Sequence, residues 1–350
     1  MKLIFIFHLF IVSIYSLNIN PSLNRKDFIN HLIVPLPFLA INTDKKPIVV
    51  IGGFGKTGYE ISKALIANKN KVRVISRNNH NNDLPVDFLQ GDITNPKLLP
   101  ELLNDASAVI FTPNAKYNSD DTQTFNDINN LGLLNVAKTC VDIQIPRLFI
   151  LSASCQSCID NPNAKFDKTC GLKCDHCRAI IDGEKAVKEI YANKRIRNKQ
   201  TTYTICRVGM ITNGEPRDVK ELEINQDFTK SGMISRSDIA QVCINSLNNP
   251  NTFDTTFEVY YKDTIQPYDV KKSLELCIGN NKSLEECFFG SRFKNKKPSS
   301  IDEAIKTPIE GTLFGTGNEF SGNNWNDLYK NLKKDNTKAF DLYDIGGNVT

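Results

Sequence analysis

The pattern of apolar and polar positions predicts alternating buried strands and amphipathic helices from about residue 45 onward. Ile48–Ile51 is a continuous β-branched apolar run, which is typical of a strand buried on both faces of a parallel sheet. Apolar residues at helical spacing follow at Ile61, Leu65 and Ile66, and residues 72–75, Val-Arg-Val-Ile, are predicted to form a second strand. A βαβ unit of about thirty residues builds doubly wound sheets. The predicted fold class is therefore α/β, a doubly wound parallel sheet of the Rossmann type.

The turn between the first strand and its helix predicts a dinucleotide site. Gly52, Gly55 and Gly58 have a G-x-x-G-x-x-G spacing, with one more residue between the first two glycines than the commonest fingerprint. Glycines let the backbone turn tightly and approach a pyrophosphate, whose charge faces the amides and dipole of the helix start. A glycine turn without a ligand is the alternative. The predicted phosphate-binding loop comprises Gly52, Gly53, Phe54, Gly55, Lys56, Thr57 and Gly58.

The end of the second strand predicts which cofactor is preferred. An acidic residue there would bind the ribose hydroxyls of NAD, whereas arginine accommodates the additional phosphate of NADP. The strand ends with Arg77, and the next acidic residue is Asp83. Because a guanidinium grips a phosphate with two parallel hydrogen bonds, NADP(H) is favoured over NAD(H). The alternative is an ordinary surface arginine.

Composition narrows the classes of protein. Of 350 residues, 40% are hydrophobic and 23% are charged, with a net charge of +4, which excludes disorder over most of the chain. No basic block is interleaved with aromatic residues, so a nucleic-acid partner is not expected.

The first 44 residues are predicted to be a targeting region. Lys2 precedes an apolar stretch at 3–17, which is too short to span a bilayer comfortably and suits a signal peptide. Residues 24–29 resemble a twin-arginine export signal with lysine in place of the second arginine. Such stacked signals favour a plastid location, with the thylakoid lumen as a finer destination. Secretion or the endoplasmic reticulum is the alternative, and the mature chain is expected to lack a stable membrane span.

Several separated motifs resemble the atypical, NAD(P)H-binding branch of the short-chain dehydrogenase/reductase superfamily. They are the glycine loop, Gly91-Asp92-Ile93, the apolar runs 108–111 and 148–151, Gly183-Glu184, residues 203–209, and residues 234–240. The resemblance covers about two hundred residues. It implies that Asp92 lies near the adenine, and with the strand positions it adds Asp92, Ile93 and Thr112 to the cofactor site.

The same resemblance exposes a departure that bears on catalysis. Catalytic members carry a Tyr-x-x-x-Lys pair, whose tyrosine passes a proton to the carbonyl that receives hydride. The corresponding stretch, 174–180, contains neither residue. His176 is the candidate substitute, with a surface histidine or a metal neighbour as the alternative. Ser152 and Ser154 are candidates for binding a substrate carbonyl, as the family's serine does, or they are ordinary polar residues at a strand end.

Cysteines cluster where the active-site helix is expected to begin. Five of the ten cysteines lie between 155 and 177. Four of them have the C-x2-C-x15-C-x2-C spacing of a four-thiolate zinc site: Cys155, Cys158, Cys174 and Cys177. Disulfides are the alternative in an oxidising compartment. An iron–sulfur cluster on Cys170, Cys174 and Cys177 is a third.

These observations predict a domain organisation and two functions. The NAD(P)-binding domain spans 45–262 with a cysteine-rich insert at 155–177, and a C-terminal extension covers 263–350. The first function is an NADPH-dependent oxidoreductase acting on a small carbonyl or alkene. The alternative is a non-catalytic, redox-responsive scaffold or assembly factor that binds the dinucleotide and a small molecule or protein partner.

Overall fold

The computed structural model describes residues 46–335, except for 80–82, 116–121, 156–157, 159–162, 168–169, 194–200, 227–229, 265, 268–274, 276–277, 282–299 and 301–318. The predicted targeting region, 1–44, lies outside the described residues, so the plastid location stays a prediction. Among the described helices, none is long and apolar enough to cross a membrane.

A large, mostly parallel sheet forms the centre of the fold. Its strands are β1 Ile48–Ile51, β2 Val72–Ser76, β3 Asp87–Gln90, β4 Ala108–Phe111, β5 Arg147–Ala153, β6 Thr202–Val208, β8 Leu222–Asn225 and β11 Thr255–Tyr261. Among the described residues their order is β3-β2-β1-β4-β5-β6-β11-β8, in which neighbouring strands are parallel except for β11 and β8, which are antiparallel. The order runs outward from β1 in both directions, which is the doubly wound arrangement. The predicted fold class is confirmed.

Helices cover both faces of this sheet. The helices are α1 Lys56–Ala67, α2 Leu99–Leu102, α3 Thr122–Phe125, a π-helical segment Asn126–Gly132, α4 Leu133–Asp142, α5 Cys174–Ala192, α6 Arg236–Leu247 and α7 Trp325–Tyr329. One core cluster joins the sheet to α1, α6 and α7, and a second joins it to α2, α4 and α5. Helix α5 begins at Cys174, so Cys174 and Cys177, the last two cysteines of the predicted insert 155–177, belong to its first turn.

Two short strand pairs lie beside the carboxyl edge of the sheet. Met210–Thr212 (β7) pairs in parallel with Met233–Ser235 (β10), and Lys230–Ser231 (β9) pairs with Gln266–Pro267 (β12) in antiparallel fashion. Met210 follows almost directly from β6, so the β7–β10 pair is held next to the ends of the central strands. Met210 and Ile211 of β7 line a cavity at this edge.

Part of the C-terminal extension completes the core. Phe320 and Ile224 exchange two backbone hydrogen bonds of 2.8 and 2.9 Å, which extends the sheet beyond β8. Leu328 and Tyr329 are buried within the cluster that α1 and α6 form. The described residues 319–335 therefore pack on the dinucleotide-type domain rather than forming a unit of their own.

Candidate functional site

The glycine loop is built around one left-handed residue and one close approach. Gly52 has φ +77°, a conformation that glycine adopts without steric cost. Gly55 donates its amide to the Gly52 carbonyl at 2.8 Å, and a Cβ on Gly58 would lie 2.3 Å from that same oxygen. Gly55 is the N-cap of α1 and carries no side chain. The first-turn amides of α1 are therefore directed at the space above the loop, where an anion is favoured.

A cleft of about 360 Å³ opens above this loop. The side of the cleft nearest the sheet holds Thr112, whose hydroxyl donates to the Ile51 carbonyl at 2.8 Å. The structure brings together nine of the eleven predicted cofactor residues as its lining: Gly52, Gly55, Lys56, Thr57, Gly58, Arg77, Asp92, Ile93 and Thr112. We call this space the cofactor cleft.

The other two predicted residues of the loop support it from beneath. A Cβ on Gly53 would lie 2.7 Å from the Val74 side chain, so this position holds the loop close to β2. Phe54 packs its ring on Phe88 with a centroid separation of 5.4 Å. Gly53 and Phe54 thus shape the loop and are not among the described residues that line the cleft.

Arg77 stands at the rim of the cofactor cleft. It directly follows β2, its side chain is exposed, and the Gln90 side chain donates to its carbonyl at 2.9 Å. Among the described residues, no carboxylate forms an ion pair with its guanidinium. Asp92 lines the same cleft and accepts hydrogen bonds of 2.9 Å from the amide and the hydroxyl of Thr94. Because Asp92 is bonded to Thr94 and no described carboxylate pairs with Arg77, the Arg77 guanidinium is available to bind a phosphate.

A second cavity, of about 350 Å³, adjoins the cofactor cleft. The two share Thr57, Thr112, Pro113 and Asn114 as a common wall. Ser152, at the end of β5, lines this inner cavity together with Asn129, Cys170, Ile180 and Met210. Ligands of open α/β sheets bind at the carboxyl ends of the strands, and both spaces lie there.

A buried ion network lies behind Ser152. The Ser152 hydroxyl donates to Glu184 Oε1 at 2.5 Å, and Arg207 donates to Glu184 at 2.6 Å and to Glu258 at 2.9 Å. All three ionic side chains are at most 7% exposed. Burial by itself would lower the pKa of Arg207, but the two carboxylates outweigh it and raise that pKa above its ordinary value. The Ser152 proton is directed at Glu184, so the oxygen presents a hydrogen-bond acceptor to the inner cavity.

His176, the predicted substitute for the family tyrosine, is buried beside the inner cavity. Its Nε2 lies 2.5 Å from Asn114 Oδ1, and its ring stacks on Phe125 at 4.5 Å. Because a carboxamide oxygen only accepts, Nε2 carries the proton. Burial lowers the pKa of His176 to about 4, so the ring is neutral at pH 7. His176 is not among the described residues that line either space, and the structure does not place it where a proton donor to substrate would stand.

Ser154, the other predicted serine, is buried at 3% exposure. Its amide donates to the Val208 carbonyl at 2.9 Å, which extends the pairing of β5 with β6 by one residue. It is not among the described lining residues of the inner cavity, so the structure separates the roles of the two serines.

Two asparagines that line the inner cavity, Asn114 and Asn129, were not predicted from the sequence. Asn129 lies in the π-helical segment and donates to Asn114 Oδ1 at 2.7 Å, while its own Oδ1 accepts from the Ala115 amide at 3.2 Å. A Cβ on Gly183 would lie 2.2 Å from the Asn129 carbonyl, so this glycine permits the close approach of α5. Single π-turns occur frequently at functional sites, but no residue pattern in this segment distinguishes one from an α-helix.

The structure does not assemble the four predicted zinc ligands as one set. Cys158 and Cys174 form a disulfide with a Cα–Cα distance of 5.3 Å, which is the disulfide alternative for this pair. Cys155 and Cys177 instead lie with Cys170, and all three sulfurs are within 4.8 Å of one another. The reason is the helix start: Cys174 and Cys177 are three residues apart on α5, and only Cys174 is bonded to Cys158. The Cys177 sulfur lies within 4.8 Å of Cys158 and of the Asp167 carboxylate as well as of the Cys155 and Cys170 sulfurs.

The cysteines of this cluster differ in acidity. Hydrogen bonds from the thiols of Cys155 and Cys177 lower the pKa of Cys170 below its ordinary value, whereas burial raises the pKa of Cys155 well above its ordinary value. Cys170 also lines the inner cavity. The more acidic of these thiols is therefore in contact with the space that adjoins the cofactor cleft.

Comparison with known proteins identifies the class that this fold and site define. The family model for NAD(P)H-binding proteins matches residues 52–250, which is more than half of the chain. The chain belongs to this NAD(P)H-binding family, and the resemblance to atypical short-chain dehydrogenase/reductases is confirmed. No curated protein matches the chain.

Solved structures with the same fold share little sequence with the chain. A putative NAD-dependent epimerase/dehydratase from Bacillus halodurans is 17% identical with a TM-score of 0.50, over 64% of this chain and 96% of that one. A short-chain dehydrogenase/reductase superfamily protein from Agrobacterium tumefaciens, with bound NAD, is 13% identical with a TM-score of 0.47, over 63% and 79%. The Bordetella bronchiseptica enzyme WbmG, in complex with NAD, is 16% identical with a TM-score of 0.47, over 70% and 81%. At 17% identity, the Bacillus halodurans likeness shows the fold alone.

Proposed function

We propose that the chain is an NADPH-dependent oxidoreductase that reduces a small carbonyl or alkene substrate. The observation that carries this proposal is the shared wall of the two spaces: the inner cavity, with Ser152 in its lining, opens directly beside the cofactor cleft. A dinucleotide whose pyrophosphate lies on the glycine loop has its nicotinamide directed at that wall. Reduction then transfers hydride from NADPH to the substrate carbon, and solvent supplies the balancing proton.

The inner cavity favours a substrate that is apolar on one side and donates a hydrogen bond on the other. Ile180, Leu151 and Val208 contribute apolar surface, and Met210 forms an exposed lip. Ser152 offers an acceptor oxygen because its proton is engaged by Glu184. A hydroxyl or N–H group beside the reducible bond would fit this acceptor. Its role is to orient the substrate toward the nicotinamide.

NADPH is expected to bind more tightly than NADH, because Arg77 stands at the cleft rim without a carboxylate partner among the described residues. One charge-assisted phosphate contact contributes about 1.5–3 kcal/mol, so Arg77→Ala should weaken NADPH by roughly tenfold or more and leave NADH almost unchanged. Titration of both nucleotides by fluorescence measures this. Arg178→Ala, an exposed arginine that is not among the lining residues, is the matched control. Equal affinities in the wild type would refute the preference.

A non-catalytic scaffold is the second candidate, and one observation favours it. The stretch that corresponds to the family's Tyr-x-x-x-Lys pair, 174–180, contains neither residue, and His176 within it is neutral and bonded to Asn114. The usual proton donor is therefore missing from the inner cavity. A dinucleotide bound here without turnover would report the redox state of the NADP pool to a partner.

Steady-state NADPH consumption across a panel of aldehydes, ketones, enones and quinones separates the two functions. An oxidoreductase consumes NADPH with at least one class of substrate, and Ser152→Ala should raise KM for it because the orienting acceptor is lost. Ser107→Ala, which changes a serine outside the lining of both spaces, should behave as wild type. Tight NADPH binding with no consumption across the panel would favour the scaffold.

A further inference from the structure

Three cysteine sulfurs converge at the edge of the inner cavity. Those of Cys155, Cys170 and Cys177 lie within 4.8 Å of one another, and Cys155 and Cys170 are 4.0 Å apart. Zinc–sulfur bonds of about 2.3 Å in a tetrahedral site place neighbouring thiolates roughly 3.8 Å apart. This three-cysteine cluster therefore needs only a small contraction to close around one ion.

The cysteine count of the insert supports an ion over further disulfides. The Cys158–Cys174 bond uses two of the five cysteines and leaves three in mutual contact. A second disulfide would leave one of the three thiols unpaired, whereas a single ion can be bound by all three. Clustered thiolates are soft ligands that select zinc or copper(I) over oxygen-seeking cations.

We infer that Cys155, Cys170 and Cys177 bind one Zn²⁺ ion whose fourth coordination position opens into the inner cavity. Cys155 and Cys177 are 0% exposed, but Cys170 is partly exposed and lines the cavity wall. The ion would thus be enclosed on one side and accessible on the other. Three protein ligands with one open position are characteristic of catalytic zinc, whereas structural zinc is closed by four.

The loops that carry the ligands are held independently of any ion. Asp167 is buried at 2% exposure and accepts from the amides of Cys158 and Cys170 at 3.3 and 3.2 Å. The Cys174 amide donates to the Lys165 carbonyl at 3.0 Å. Together with the disulfide, these bonds fasten the insert to the start of α5. The disulfide then has a structural role, and the three remaining cysteines are free to act as ligands.

The open position is suited to an oxygen atom of the substrate. This step rests on the proposed function, because it places the ion beside the substrate and not beside a partner protein. Zinc polarises a carbonyl as a Lewis acid, which is the task that the absent Tyr-x-x-x-Lys pair performs in catalytic relatives. The apolar side chains of Ala153, Leu172 and Ile180 pack around the cluster, and a dry surrounding strengthens that polarisation.

Metal analysis of the full chain, purified with its disulfide intact in zinc-replete buffer, tests the site. We expect one zinc per chain, released in step with the modification of three thiols. Removal of a group that hydrogen-bonds to a metal ligand typically costs about 10–100-fold in metal affinity, so loss of a ligand itself should cost at least about 100-fold. This applies to each of the single variants Cys155→Ser, Cys170→Ser and Cys177→Ser. Cys140→Ala, at a buried free thiol on α4, is the matched control and should retain wild-type zinc affinity.

The ligand set is distinguished from the four-cysteine set by two variants. The double variant Cys158→Ser/Cys174→Ser should still bind zinc, since it removes only the disulfide, whereas Cys170→Ser should not. The reverse result, with zinc retained in Cys170→Ser and lost in the double variant, would overturn our assignment. Absence of zinc from the wild type, with a disulfide among the three cysteines, would overturn it equally.

The open position is tested with cobalt in place of zinc. The visible bands of the Co²⁺ protein should change when imidazole is added, because a small ligand enters the fourth position; an unchanged spectrum would contradict the opening into the cavity. NADPH titration of Cys170→Ser is a separate measurement and should give wild-type affinity, since Cys170 is not among the residues of the cofactor cleft. Zinc binding and NADPH binding are therefore measured independently, so failure of this site can be distinguished from failure of the proposed function.

Discussion

Gly58→Ala is expected to reduce dinucleotide binding below detection. The new Cβ would lie 2.3 Å from the Gly52 carbonyl oxygen and 2.9 Å from Gly53 Cα, both backbone atoms that no side-chain rotation can relieve. Helix α1 would have to move away from β1, and the amides that face the pyrophosphate would move with it. Calorimetric titration with NADPH, alongside circular dichroism to follow the fold, gives the result.

Two glycines provide the graded controls. Gly55→Ala introduces a milder contact, 3.2 Å to the Gly52 carbonyl, and should weaken NADPH less. Gly214→Ala places its Cβ 3.6 Å from the nearest atom outside its immediate neighbours and should bind as wild type. A folded Gly58→Ala protein with wild-type affinity would show that the loop is not the phosphate site. If Gly58→Ala fails to fold, the two other variants still test the loop, because Gly55→Ala should bind NADPH more weakly than Gly214→Ala does.

Arg207→Met is expected to lower the free energy of unfolding by about 3–5 kcal/mol, the usual cost of removing one partner from a buried ion pair. The substitution leaves the Glu184 and Glu258 carboxylates, at 3% and 1% side-chain exposure, without the positive charge of Arg207. Urea unfolding at pH 7 measures the change. The matched control is Arg178→Met, whose partner Asp175 is 55% exposed, and exposed pairs contribute at most about 1 kcal/mol. Similar losses in the two variants would mean that the buried network does not stabilise the fold.

The strand pattern and the glycine loop could be predicted because local composition determines them. Continuous β-branched runs are buried on both faces of a parallel sheet, and both core clusters contain residues of β1 and β4. The loop needs a left-handed residue at Gly52 and a close approach at Gly58, and only glycine satisfies both. Such requirements can be inferred from the residue types alone.

The cysteine pairing could not be predicted, because spacing does not determine which sulfurs meet. Two C-x2-C turns suggested a single four-sulfur site. In the structure, Cys174 instead bonds to Cys158, which leaves Cys177 in a cluster with Cys155 and Cys170. The partner of each cysteine depends on how the loop packs against the helix, which is a tertiary property.

The contacts of His176, beside the inner cavity, likewise could not be predicted from the sequence. Its position in the chain matches the family tyrosine, but its ring is held by Phe125 and Asn114, from segments around fifty and sixty residues away. The role of Asn129 depends likewise on a π-helical turn and on the close approach of Gly183. Contacts between distant segments thus decide which side chains reach the inner cavity.

A crystal structure of the chain with NADPH would show whether the cofactor cleft and the inner cavity form one catalytic site. We expect the pyrophosphate on the amides of the 52–58 loop, the 2′-phosphate on Arg77, and the nicotinamide at the shared wall beside Thr112 and Asn114, facing Ser152. A dinucleotide bound elsewhere, or bound in the cleft with its nicotinamide turned away from the inner cavity, would contradict the account.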